Sequence, residues 1–136
     1  MHRALVIAKG SFGADHPTVA SCLNNLAELL HATGRSTEAE SLYRQAWAIT
    51  EARFGPDHPT VAVILNNLGQ LLRRTDRLAE AEPLMRRGVA ILIDFERKTG
   101  HLHPHRDAAF GNYADLLAAM GKSEAEIKAA IANLTG

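Results

Sequence analysis

Apolar residues recur along this chain at helical spacing, in stripes that return after 42 residues. Val19, Leu23, Leu26 and Leu30 are separated by four, three and four positions, which places them on one face of a helix. Val61, Leu65, Leu68 and Leu72 repeat those separations. Between and after these stripes run second helices, carrying Ala39, Leu42, Tyr43, Ala46, Trp47 and Ile49, then Ala81, Leu84 and Met85. The punctuation agrees. Pro17 and Pro59 stand where a first helix begins, at N1, where a missing N–H costs nothing. Thr33-Gly34 and Phe54-Gly55 read as helix ends. Thr37 with Glu40, and Ser123 with Glu126, read as capping boxes. Pro83 lies inside the fourth helical stripe, so a kink or a tight first turn is expected there.

The repeat reaches beyond the apolar positions. Residues 12–53 and 54–95 are identical at 23 of 42 positions, which makes them copies of one unit. A fixed period of this length marks a solenoid, in which each unit buries its apolar face on the next. The third unit departs from the first two. Gly88 matches Ala46 at a shift of 42, but His103-Pro104 matches His58-Pro59 at a shift of 45. Three residues are therefore inserted within 89–99, and that helix should be nearly a turn longer. The unit continues with Phe110, Tyr113 and Leu117, then a short helix through Ile127, Ile131 and Leu134. At the other end, Ala4, Leu5, Ile7 and Phe12 align with Ala46, Trp47, Ile49 and Phe54. The expectation is an all-α superhelix of about seven helices forming a single domain. It divides into the second helix of a truncated repeat (1–13), repeats at 14–55 and 56–100, and a degenerate capping repeat at 101–136. It reads as the C-terminal part of a longer protein.

Composition narrows the function classes. Fifteen basic and fifteen acidic residues cancel. Nucleic acid and anionic membrane, which call for a net basic face, are not expected partners. One cysteine, Cys22, forms no internal disulfide and fits a cytoplasmic setting. No nucleophile–base set or phosphate loop is present, so no enzyme and no cofactor is expected. His101, His103 and His105 alternate in a loop, but no Cys or carboxylate partner is evident and no metal is expected.

In its repeats the chain resembles the tetratricopeptide repeat family, in the 42-residue form found in kinesin light chains. The residues that carry this are Leu23…Leu26-Ala27…Leu30, Leu65…Leu68-Gly69…Leu72 and Phe110…Tyr113-Ala114…Leu117. The family's turn glycine is matched by Gly34 and Gly121, with Asp76 the exception, and its small second-helix residue by Ala39, Ala81 and Ala125. The resemblance implies a right-handed superhelix whose first helices line a concave groove that binds a protein or peptide. The groove positions it implies are Ser21, Asn24, Asn25, Glu28 and His31; Val63, Asn66, Asn67, Gln70 and Arg73, with Arg74 beside it; and Ala108, Asn112 and Asp115.

Asn25, Asn67 and Asn112 occupy one equivalent position, although Asn is a mediocre helix former. Two readings stand. They present amides to an extended peptide, or they bond neighbouring helices and fix the register of the repeats. The family's chaperone-binding members clamp a carboxylate with groove lysines and arginines; here Asn24, Asn66 and Gly111 precede the recurring Asn, so that ligand is not expected. Arg73, Arg74, Arg86 and Arg87 form a basic cluster that would suit an acidic peptide, or are solvated helix faces. The alternative to a peptide-binding module is a self-association or spacer element, a homodimer formed through the N-terminal helix around Leu5 and Ile7.

Overall fold

The computed structural model describes residues 17–135. Its elements are α1 (Pro17–Ala32), α2 (Ser36–Phe54), α3 (Pro59–Arg74), α4 (Leu78–Thr99), α5 (Arg106–Ala119) and α6 (Glu124–Thr135). These are six of the seven expected helices, and there is no strand among the described residues. The expected helix at 1–13, with the dimer face at Leu5 and Ile7, lies outside the described residues.

Each helix packs on the next, and α1 also touches α3 as α3 touches α5. That is the contact pattern of stacked pairs, in which first helices neighbour first helices. The stripes read from the sequence form its core. Val19, Leu23, Leu26 and Leu30 are buried, as are Val61, Leu65, Leu68 and Leu72. Ala39, Tyr43 and Ala46 on α2, and Ala81, Met85 and Val89 on α4, close the same core from the other side. Two glycines let α3 and α4 pack closely: a Cβ on Gly69 would lie 2.5 Å from Cγ of Met85, and one on Gly88 would lie 3.2 Å from the carbonyl oxygen of Ala62. α4 is 22 residues long against 19 for α2, so the three inserted residues lengthen that helix, which runs through Pro83 without interruption.

The first helix of every unit ends in the same turn. The N–H of Arg35 reaches the carbonyl of Leu30, that of Arg77 reaches Leu72, and that of Lys122 reaches Leu117. Each turn needs one left-handed residue, supplied by Gly34, Asp76 and Gly121. Asp76, at φ 62°, holds this conformation with a Cβ. That geometry costs an L-residue roughly 1–2 kcal/mol, and the extra freedom of an unfolded glycine takes back about 0.5–1. Asp76→Gly should therefore gain about 0.5 kcal/mol, read as a rise of a few degrees in Tm.

The turn also corrects one capping assignment. α2 begins at Ser36, so Thr37 lies inside it, and Arg35 is the N-cap residue without a side-chain cap. The Arg35 guanidinium instead grips Glu38 through Nε and Nη2, at 3.1 and 2.7 Å. Arg77 holds Glu80 in the same way at the head of α4. In the third unit there is one residue fewer between Gly121 and Ala125 than between Gly34 and Ala39. Ser123 then falls at the cap and the box forms: Ser123 N–H donates to Glu126 Oε1 (3.0 Å) and Glu126 N–H to Ser123 Oγ (3.2 Å).

The second helices are joined across units by charge. Arg77 bridges back to Glu40, which also holds Arg44, and Arg87 bridges back to Glu51 while donating to the carbonyl of Pro56. Glu40 is partly buried, but the hydrogen bonds from Arg77 and Arg44 outweigh that burial and hold its carboxyl below the usual range. The Tyr113 hydroxyl donates to Glu82 at 2.8 Å and fastens α5 to α4.

Candidate functional site

The first helices α1, α3 and α5 carry a polar strip beside the core stripe, and the strip joins one unit to the next. Asn67 Nδ2 donates to Asn24 Oδ1 at 3.3 Å and to Glu28 Oε1 at 3.1 Å. One unit on, Asn112 Nδ2 donates to Asn66 Oδ1 at 3.4 Å. The geometry repeats: the recurring Asn of a unit reaches back to the residue before the recurring Asn of the previous unit. Gly111 occupies that preceding position in the third unit, and the ladder stops there. Asn67 and Asn112 are thus inter-repeat struts. Asn25 is exposed and has no hydrogen-bond partner among the described residues.

Asn66 is the anchor of the strip. It is 3 % exposed, and its second amide group faces His105 Nε2 at 3.2 Å. Its Oδ1 is occupied by Asn112, so Asn66 donates to the imidazole and Nε2 accepts. Histidines elsewhere accept too. His58 Nδ1 takes the N–H of Thr60 at 3.1 Å, and His103 Nδ1 takes that of His105 at 3.0 Å. These two are the equivalents paired by the shift of 45, each bonding two residues ahead. His58 thereby caps α3, whereas His103 closes the turn ahead of α5, whose N-cap is His105 without a side-chain cap. The sequence carried that signal in the recurrence of His before Pro, but not the ring nitrogen involved. No group of three or more His, Cys, Asp or Glu side chains among the described residues could hold a metal ion.

His105 links this network to pH. Burial, then the neighbouring His103, hold its pKa below the ordinary histidine value of 6.5, with Glu28 opposing. A lowered folded-state pKa means that the unfolded chain binds the proton more readily. The contribution is complete above pH 6.5 and is lost as the pH falls through the lowered value. The urea midpoint should therefore fall between pH 7.5 and pH 5. His105→Gln, which cannot titrate, should flatten much of that slope.

Two hollows open on the strip. The larger, about 660 Å³, is lined by Glu28, His31 and Ala32 of α1, Tyr43 of α2, and Asn67, Gln70, Arg73 and Arg74 of α3. The smaller, about 300 Å³, collects Ser21, Asn24 and Asn25 with Thr50, Phe54 and Val63. Asn66 and Asn112 belong to the buried junction with His105, and Asp115 is exposed. The expected groove positions therefore separate into a hollow, a smaller recess and a strut.

The basic cluster also separates. Arg86 pairs with Glu82 at 3.6 Å, and Arg87 is committed to Glu51 and packs over Trp47. Arg73 and Arg74 remain in the larger hollow. Neither has a carboxylate partner among the described residues; Arg74 Nη1 lies 3.5 Å from His31 Nε2. Glu28, on the same wall, is held by Asn67. Tyr43 is only 1 % exposed, yet it reaches this hollow and its hydroxyl bonds to no described residue. The hollow can thus offer two guanidiniums, a phenol and an amide to an acceptor-rich ligand.

Comparison with known proteins agrees with the repeat architecture. The sequence profile described as Tetratricopeptide repeat matches residues 1–52 and 29–94. A protein described as kinesin light chain-related 1, from Arabidopsis thaliana, is 47 % identical over 47 residues, 35 % of this chain and 8 % of the plant protein. Among solved structures, BtubC (BKLC) from P. vanneervenii superposes with a TM-score of 0.84 at 24 % identity, over 98 % of this chain and 52 % of that one. A putative kinesin light chain repeat protein from Podosopora anserina superposes with a TM-score of 0.68 at 22 % identity, over 96 % of this chain and 61 % of that one. The chain thus spans a small part of its plant relative and little more than half of these structures.

Proposed function

The chain belongs to the tetratricopeptide repeat family, in its kinesin-light-chain-like form, whose repeats generally mediate protein–protein interaction, and from that footing we propose that its concave groove binds an extended, acidic peptide segment of a partner protein. The observation that carries this reading is the pair of groove arginines. Arg73 and Arg74 line an open hollow and form no ion pair among the described residues, the Glu28 carboxylate on the same wall being bonded to Asn67, whereas Arg77, Arg86 and Arg87 are each paired. Arginine donors suit carboxylates, and the amide of Gln70 suits a peptide backbone. Asn24 and Asn67 hold the walls in register, so the groove is largely formed before a ligand arrives, which lowers the ordering cost of binding. The protein serves as one interaction module of a larger scaffold, and it contributes binding, not catalysis.

The test is charge selectivity. A labelled hexaglutamate peptide, acetylated and amidated at its ends, should bind by fluorescence anisotropy and weaken as salt rises, because exposed charges are screened. Hexaglutamine and hexalysine should not bind. Equal binding of all three would contradict the reading.

A further inference from the structure

The arginines share their hollow with one imidazole. His31 sits on α1, facing Arg74 of the next unit. Its Nε2 lies 3.5 Å from the Arg74 guanidinium, which has N–H groups and no lone pair to offer, so a neutral ring with Nε2 as acceptor suits this contact and a protonated ring does not. The charged and titratable groups around it are Glu28 on its own helix, Tyr43 on α2, and Arg73 and Arg74 on α3. Burial, then the field of Arg74, hold the His31 pKa below 6.5. Tyr43 keeps its proton, since burial and then Glu28 push its pKa well up. Of the groups lining the hollow, His31 is the one whose charge can change between about pH 6 and 8.

A carboxylate entering the hollow alters what His31 feels. It neutralises the field of Arg74, draws the Arg74 donor towards itself, and supplies an acceptor for an imidazolium N–H. All three changes favour the protonated ring. Building on the groove reading above, we propose that the groove takes up a proton at His31 as it binds a carboxylate-bearing peptide, and so holds that peptide more tightly as the pH falls from 8 to 6.

The experiment is calorimetric titration with the hexaglutamate peptide at pH 8, 7 and 6, each in two buffers of different ionisation heat. The expected result is uptake of a fraction of a proton per peptide at pH 7, with affinity about three- to ten-fold tighter at pH 6 than at pH 8; a full pKa unit of coupling corresponds to ten-fold. In His31→Gln the uptake should vanish and the affinity should become flat with pH. Ring-proton NMR of the unmodified protein reads the same event without a substitution: the His31 titration midpoint should move up when the peptide is added. Binding with no proton uptake and an unmoved midpoint would overturn this inference and leave the groove reading intact. No binding at any of the three pH values would overturn both.

Discussion

Replacing Asn66 by Leu should destabilise the protein by about 1–3 kcal/mol, although Leu fills a similar volume and is the more apolar side chain. Asn66 is buried, and both ends of its amide are in use. Removing it leaves His105 Nε2 and Asn112 Nδ2 without their partner at the junction of the second and third units. An unpaired buried polar group costs more than a neutral hydrogen bond gains, so the loss should dominate. The damage should also be local. A solenoid's stability is approximately a sum of unit and neighbour terms. Amide exchange should therefore quicken in α5 and α6 more than in α1 and α2. Asn25→Leu, at an exposed position with no described partner, should change stability by about 0.5 kcal/mol or less. Equal effects from the two substitutions would show that Asn66 is not a strut.

The second large effect concerns binding. Arg73→Glu with Arg74→Glu should weaken hexaglutamate by thirty-fold or so. Exposed charge pairs are worth roughly 0.2–1 kcal/mol each. Reversing two of them removes two attractions and adds two repulsions, about 2 kcal/mol in all, and 1.4 kcal/mol is a factor of ten. Both side chains are exposed in the last turn of α3 and make no ion pair among the described residues, so the helical circular dichroism should hold while Tm falls by a few degrees, as two acidic groups oppose the helix dipole. Reversing Arg77 instead should cost stability, because it breaks the bridge to Glu40 between units.

The fold was legible because a repeat writes its core several times. Leu23, Leu65 and their neighbours state the helical period, and the 42-residue recurrence states how units stack. The groove strip was legible as positions and not as roles. Asn67 and Asn112 stood out through recurrence against helix propensity, but their partners, Asn24 and Asn66, are set by how far one unit rotates on the next. No local pattern encodes that rotation. The same holds for Arg87, which stacking pairs with Glu51 of the previous unit; Arg86 pairs with Glu82 four residues back on its own helix, a spacing the sequence does carry. His105 was overlooked as a junction residue because its loop drew attention to metal chemistry, while its ring serves Asn66. The Thr37 box failed for a local reason: α2 starts directly after the turn, with Arg35 as its N-cap, so Thr37 already lies inside the helix.

The claim that the concave groove is the binding surface is tested most directly by mapping amide shifts in an isotope-labelled sample titrated with hexaglutamate. Perturbations should concentrate at Glu28, His31, Asn67, Gln70, Arg73 and Arg74, which line the hollow. Ser41, Gln45 and Ala48, around a separate recess on α2, should stay still. Perturbations centred on that recess, with the groove residues unmoved, would contradict it.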